Sequence, residues 1–465
     1  MIVMTLIKSI SGIRGTIGGN VGNALTPIDI VKFSAAYAMQ LKKKFPEKKS
    51  YKVVVGRDAR ISGEMLNSIV CGTLSACGIN VVNCGLTSTP TTEMAVTFEK
   101  ADGGLILTAS HNPKQWNALK LLNEKGEFFS AKEGNDLLMV AEKSEFDFSD
   151  IDKIGTITKK DYTQQHIDAV VNYPLVDVEA IYSAGFTVVL DPVNSVGGIV
   201  MPKLFDALGV NCVVINGEPN GHFAHNPEPL PENLIELCSR VRAEGANLGV
   251  SVDPDVDRLA LICETGDPFG EEYTLVSVAD YILSNKKGAT VSNISSSRAL
   301  KDVTESYGCE YFTAAVGEVN VTTKMQNVGA VIGGEGNGGV IVPDFHYGRD
   351  ALIGVALFLT NMAHKKVTAS ELRKTYPDYH ISKNRIEISD MSKTDAILEK
   401  IKEKYSSERL TTIDGIRIDF EKEQKWVVIR KSNTESILRI YAEAPTASSA
   451  EKLAFDIIND IKRIM

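Results

Sequence analysis

Short apolar runs separated by longer amphipathic stretches set the pattern along the first part of the chain. Residues 52–55, 80–83 and 105–107 read as strands, and 27–44 and 63–77 carry the apolar spacing of helices. That alternation predicts βαβ units on a largely parallel sheet. A polar stretch over 143–160 marks a domain boundary, after which the pattern restarts at 186–190, with a helix over 198–208 and further runs at 211–215 and 248–252. Between the last two, residues 217–231 are rich in Gly, Pro, Asn and His and read as loop. A third restart follows with 275–283, 290–292, 311–313 and 330–333, and a helix over 349–363. Beyond about residue 380 the style changes to short alternating strands at 385–388, 415–419, 425–430 and 437–443, flanked by helices at 393–404 and 447–464.

The expected fold class is α/β, with three α/β domains of similar size and a smaller C-terminal α+β domain on an antiparallel sheet. The domain limits expected are 1–155, 156–262, 263–375 and 376–465. Three similar units suggest an internal structural repeat, although no repeated sequence is visible. The length of 465 residues, 43% of them hydrophobic and 23% charged, is enough for several cores of an ordinary globular protein. A net charge of −9 argues against nucleic acid or an anionic membrane as partner, but a local basic pocket can still take an anionic substrate. The seven cysteines form no CxxC pair and read as reduced, buried thiols. With no signal-peptide pattern at the start and no apolar run near the roughly 20 residues of a membrane span, a cytoplasmic location is expected.

Chemistry concentrates in four loops. Thr108-Ala109-Ser110-His111-Asn112-Pro113 follows an apolar strand and places a hydroxyl beside an imidazole, with Lys120 ten residues after the serine. A nucleophile, a phosphate carrier and a helix cap are all open to Ser110. The Gly-x-Ser-x-Gly of a serine hydrolase is absent, and Asn112-Pro113 breaks any helix that the serine would cap. Asp253-Pro254-Asp255-Val256-Asp257-Arg258 follows another apolar strand. Alternate carboxylates in a loop converge on a hard divalent cation, and they repel one another unless a cation neutralises them. An EF-hand is excluded by Arg258 at the position that needs Gly, and by the strand-like run that follows. Mg²⁺ at a strand–loop–strand corner is the preferred reading, with a solvated acidic turn as the alternative.

The Gly-rich loop 333–339 lacks the Lys-Ser/Thr of a P-loop and the spacing of a dinucleotide fingerprint. Its Glu335 and Asn337 suit a polyhydroxyl ligand, and a plain tight turn is an equal reading. Arg430, Ser432, Asn433 and Thr434 bring a cation, hydroxyls and backbone donors into one strand connection, which suits a phosphate dianion or an ordinary polar hairpin. Arg14 stands between glycines near the start, where its guanidinium can project from a tight turn. In the two Gly-Arg-Asp turns, at Asp58 and Asp350, the Asp reads as a helix cap and the Arg as an ion-pair partner.

In this order, the four motifs resemble the α-D-phosphohexomutase superfamily, and the resemblance runs from Ser11 to Glu443. It implies three topologically similar α/β domains and a smaller fourth domain around a central active-site cleft. It implies that Ser110 carries the phosphoryl group and that Asp253, Asp255 and Asp257, with a phosphoserine oxygen, hold Mg²⁺. Arg14, Lys120 and Arg258 would line the transfer site, with Lys120 a general acid or base and His111 supporting the phosphoryl group. Glu335 and Asn337 would grip sugar hydroxyls, and the Arg430–Thr434 loop the phosphate that is not transferred.

The implied reaction interconverts hexose 6-phosphate and hexose 1-phosphate through a bisphosphate, with a hexose 1,6-bisphosphate as activator and the enzyme a monomer or homodimer. Members selective for mannose and glucose often carry Gly-Glu-x-Ser-Gly-His in the sugar loop, where this chain has Asn337 and Gly339. Ala315-Val316-Gly317-Glu318 looks closer to the Val-Gly-Asp of phosphoglucosamine mutases. Glucosamine 6-phosphate is therefore the favoured substrate, ahead of mixed glucose/mannose specificity. The rival classes are a Mg²⁺-dependent phosphatase or nuclease, and a non-catalytic sugar-phosphate-binding protein.

Overall fold

The computed structural model describes residues 4–9, 12–388, 394–431 and 437–464. It divides into two compact units, Met1–Thr274 with Asn337–Ser370, and Leu275–Gly336 with Glu371–Met465.

The first unit holds two sheets. In the larger, Trp116–Leu122, Gly103–Leu107, Tyr51–Arg57 and Ile79–Leu86 are successive neighbours, extended by Gly12–Thr16 and Ile7–Ser9 on one side and by Ile157–Lys159 on the other. Gly103–Leu107 pairs in parallel with Tyr51–Arg57, and antiparallel with Trp116–Leu122. The second sheet repeats that order with Leu259–Cys263, Leu248–Val252, Thr187–Asp191 and Asn211–Val214. Here too the third strand in chain order runs parallel to the first and antiparallel to the fourth. The Ser110 loop and the Asp253–Arg258 loop therefore occupy the same place in two copies of one topology, the turn between the third and fourth strands. Both of those strands are wholly buried in the second copy, which is why they read as continuous apolar runs.

Helix Pro27–Lys44 packs its apolar face on the larger sheet and forms where expected. Thr26 and Asp29 close a capping box at its start, and Lys42, Lys43 and Lys44 complement the dipole at its end. Helix Thr89–Phe98, which periodicity alone does not single out, starts at the N-cap Ser88.

In the second unit, Thr290–Asn293 pairs in parallel with Tyr311–Ala314 and with Ile332–Glu335, repeating the first three strands of the same topology. The apolar run 275–283, grouped above with the strands of this region, is helical. It lies inside Glu271–Asn285, whose 15 residues exceed an ordinary strand, and the whole run is buried, which erases the amphipathic period. The C-terminal strands form the expected antiparallel sheet, in the order His380–Glu387, Ile437–Ala444, Lys425–Lys431, Ile416–Phe420 and Arg409–Thr411. Among the described residues no helix is long and apolar enough to cross a membrane.

Glu443, on Ile437–Ala444, is fully buried and accepts from Trp426 Nε1 at 2.6 Å and from the backbone N–H of Arg298 at 2.9 Å. Burial pushes its carboxyl up from 4.5 to about 7. A carboxyl that holds its proton more tightly when folded contributes fully below the unfolded value, and that contribution is lost as pH rises through the folded one. The second unit should therefore lose up to about 3 kcal/mol of stability between about pH 4.5 and 7. In Glu443→Gln the slope of Tm against pH should flatten over that window. An unchanged slope would show that Glu443 does not titrate there.

Candidate active site

Ser110 lies at the end of Gly103–Leu107 in the left-handed region, φ 49°, which a residue with a side chain adopts only when its surroundings impose it. Its N–H donates to Thr108 Oγ1 at 2.9 Å, and that hydroxyl donates to Asp58 Oδ2 at 2.6 Å. The serine hydroxyl donates to Asp253 Oδ2 at 2.6 Å and has His111 Nδ1 at 3.5 Å. Two loops separated by 143 positions thus meet at one hydrogen bond.

Asp253, Asp255 and Asp257 are all fully buried, each offering one oxygen within 4.8 Å of the others. Left-handed Val256, φ 64°, turns the loop so that the backbone N–H groups of Asp257 and Arg258 both reach Asp253 Oδ1 at 3.2 Å. Asp255 Oδ2 accepts from Thr89 Oγ1 at 2.6 Å and from Lys120 Nζ at 2.7 Å. Asp257 Oδ2 accepts from Arg349 Nη2 at 2.7 Å, with Lys120 Nζ at 3.6 Å. The Oδ1 atoms of Asp255 and Asp257 are buried with no hydrogen-bond partner. Two orphaned carboxylate oxygens beside a third carboxylate make an all-oxygen donor set, and that set fits a hard cation such as Mg²⁺.

The electrostatics agree. Burial, with the charges of Asp257 and Asp255, pushes Asp253 well above the usual carboxylate range. Burial acts the same way on Asp255, but Lys120 outweighs it and holds Asp255 low. Lys120 is itself pushed down by burial and more strongly up by Asp255 and Asp257, so it stays protonated. Burial and the neighbouring Arg258 push His111 down, so its imidazole is neutral at neutral pH.

The other expected site residues fall as follows. Arg14 is opposite Ala118 in the sheet register, which puts it on the same face as Lys120, two residues further along that strand. Arg258 Nη1 lies 3.7 Å from Glu228 Oε1, and the same oxygen is 3.9 Å from His111 Nε2. Asn337, in the first unit, turns its Oδ1 onto the N–H of Gly339 at 3.2 Å. In the second unit Glu335 accepts from Asn293 Nδ2 at 2.9 Å and from the N–H of Gly317 at 3.0 Å. Arg430 pairs with Asp414 at 2.9 Å, and Asp414 also accepts from the N–H of Val316 at 3.1 Å. Ser432, Asn433 and Thr434 lie outside the described residues.

Of the two Gly-Arg-Asp turns, the second behaves as expected. Asp350 caps helix Ala351–Lys365, and Arg349 is an ion-pair partner, though its partner is the triad residue Asp257. In the first turn Arg57 pairs with Glu64, but Asp58 caps no helix. Its carboxylate accepts from Arg60 and from Thr108 under the serine loop. Thr89 and Arg349 both bond to the acidic triad, a contact that no motif in the sequence marks. Thr89 carries only a Ser-Thr-Pro helix-start signal.

The four domains of the phosphoglucomutase/phosphomannomutase family match this chain in order. The α/β/α domains I, II and III fall on residues 6–147, 164–266 and 270–379, and the C-terminal domain on 385–459. The chain belongs to that family, within the α-D-phosphohexomutase superfamily. Membership makes it a phosphohexomutase, an isomerase, with three α/β domains and a smaller C-terminal domain. A phosphoglucomutase/phosphomannomutase of Thermococcus kodakarensis is 35% identical over 94% of this chain and 96% of its own length. A probable phosphoglucosamine mutase of Pyrococcus abyssi is 34% identical over 86% of this chain and 88% of its own. In fold, the crystal structure of a phosphoglucomutase/phosphomannomutase family protein from Burkholderia thailandensis superposes with a TM-score of 0.84. It covers 99% of this chain and 97% of its own at 23% identity.

Proposed function

We propose that the chain interconverts hexose 6-phosphate and hexose 1-phosphate by way of phosphorylated Ser110, and that its preferred hexose is glucosamine. The observation that carries this reading is the hydrogen bond from Ser110 Oγ into a buried triad in which two carboxylate oxygens accept no hydrogen bond. A helix cap needs no acidic triad, and a hydrolytic serine needs a single base rather than three buried carboxylates.

Asp253, Asp255 and Asp257, with an oxygen of the phosphorylated serine, would hold Mg²⁺, which neutralises charge on the phosphoryl oxygens. The chain's own residues do the rest. The sugar hydroxyl attacks the phosphorus, the bond to Ser110 Oγ breaks, and the proton lost by the hydroxyl is balanced by one gained at Oγ. Lys120, held protonated by Asp255 and Asp257, would give its proton to Oγ and take up the one the hydroxyl loses, so that it ends protonated as it began. Arg14 and Arg258 add positive charge, and neutral His111 is a hydrogen-bond partner for the phosphoryl group. Glu335 and Asn337 would bind sugar hydroxyls, and the loop from Arg430 to Thr434 the second phosphate. The bisphosphate then turns end for end and returns its other phosphoryl group to Ser110.

Glucosamine is favoured by Val316-Gly317-Glu318 and by the Pyrococcus relative, named for that substrate. The Thermococcus relative, named for glucose and mannose phosphates, favours the second reading. Intact-protein mass spectrometry after incubation with glucose 1,6-bisphosphate should show one added phosphate, roughly 80 Da. With Mg²⁺ and activator present, kcat/KM for glucosamine 6-phosphate should exceed those for the glucose and mannose phosphates by at least about tenfold. The reverse order would decide for the second reading. A chain that takes up no phosphate would overturn the Ser110 relay.

A further inference from the structure

We infer that Arg60 is the positioning residue of the Ser110 loop, the group that holds the nucleophile in its left-handed conformation and keeps the loop's carbonyls away from the transferred phosphoryl group. The inference rests on the reading of Ser110 as phosphoryl carrier. Arg60 is only 1% exposed. Its Nη2 donates to the carbonyls of Ser110 at 2.5 Å and Asn112 at 2.6 Å. Nη1 donates to those of Pro113 and Trp116, each at 2.9 Å, and Nε to Asp58 Oδ2 at 3.0 Å. A guanidinium has five N–H donors in a rigid planar fork, and every nitrogen here is engaged.

Ser110 is thereby pinned on both sides. Its N–H is tied through Thr108 Oγ1 to Asp58, and its C=O is tied to Arg60, which is itself paired with Asp58. Two tethers ending on one buried ion pair fix both peptide planes, which is what a non-glycine residue at φ 49° requires. The carbonyl direction matters as much. A phosphoryl dianion is repelled by the negative ends of nearby peptide dipoles, and Arg60 draws three carbonyls of residues 110–113 towards itself. The ring of Phe223, from the 217–231 loop, lies 5.1 Å from the guanidinium and covers its face.

Arg60→Lys keeps a cation beside Asp58, but its three donors on one nitrogen cannot span four carbonyls. We expect Arg60→Lys to lower kcat about 100-fold, with KM for hexose phosphate within about threefold. The rate at which glucose 1,6-bisphosphate phosphorylates Ser110, followed by intact mass, should fall in parallel. Thr108→Val cuts the other tether, is the second variant should Arg60→Lys not fold, and should lower kcat about tenfold with the same small change in KM. A general loss of packing would raise KM or lower Tm without selecting kcat. A folded variant at either position with wild-type kcat and wild-type phosphorylation rate overturns the inference, and so does a loss confined to KM. Failure of the wild-type chain to take up phosphate would instead overturn the underlying reading of Ser110, and this inference with it.

Discussion

Ser110→Ala should lower kcat by at least about four orders of magnitude while the protein remains folded, because it deletes the atom that bonds to phosphorus. The structural cost is small by comparison. Asp253 Oδ2 loses the hydroxyl that now donates to it at 2.6 Å, but Asp253 keeps two backbone donors on its other oxygen. Losing one hydrogen bond at a buried acceptor costs about 1–3 kcal/mol, a Tm shift of a few degrees. Both residues carry a Cβ, so the left-handed backbone strain is unchanged. Steady-state turnover, with thermal melting as the control, checks the prediction. A folded Ser110→Ala variant retaining more than about one percent of wild-type kcat would falsify the serine relay. If Ser110 were only structural, Tm would change and kcat would survive.

What was legible in the chain is what lies close together along it. The Asp253–Asp257 loop could be read because its carboxylates are alternate residues after an apolar strand, and the structure brings them within 4.8 Å. The Ser110 loop was equally visible, but its partner was not, because the hydrogen bond to Asp253 spans 143 positions. Thr89 and Arg349 escaped for the same reason. Each reaches a triad carboxylate from a distant segment, and nothing local to a Ser-Thr-Pro helix start or a Gly-Arg-Asp turn marks that reach. The sequence points to Asp58 as a cap because Asp ahead of a helix commonly caps it, and the competing donors of Arg60 and Thr108 cannot be seen from sequence. The run 275–283 shows the complementary failure, since burial on all sides removes the periodicity that separates helix from strand.

The metal site can be separated from the nucleophile with Asp253→Asn. Asparagine keeps an acceptor for the N–H groups of Asp257 and Arg258, both 3.2 Å from Asp253 Oδ1, so the turn through Val256 should survive. It removes a carboxyl that ionises on binding a divalent cation, and with it one of the oxygens that cation needs. Wild-type protein should gain Tm on adding Mg²⁺, because a ligand bound only by the folded state at about 100 times its Kd stabilises by about 2.7 kcal/mol. For a chain of this size that is a rise of several degrees. Asp253→Asn should show little or no rise, and before Mg²⁺ is added it should melt close to wild type, since burial already favours the neutral carboxyl of Asp253, which asparagine resembles in shape and charge. Its kcat should fall by about 10³-fold, through lost neutralisation of the phosphoryl oxygens. Melting curves with and without Mg²⁺ decide the matter. A variant that responds to Mg²⁺ as wild type does would place the cation elsewhere and leave the triad a purely structural partner of Lys120 and Arg349. A variant that loses the Mg²⁺ response but keeps its kcat would detach the metal from the chemistry. The combination expected here, lost response with lost turnover and an intact fold, is the one that ties the orphaned oxygens of Asp255 and Asp257 to phosphoryl transfer at Ser110.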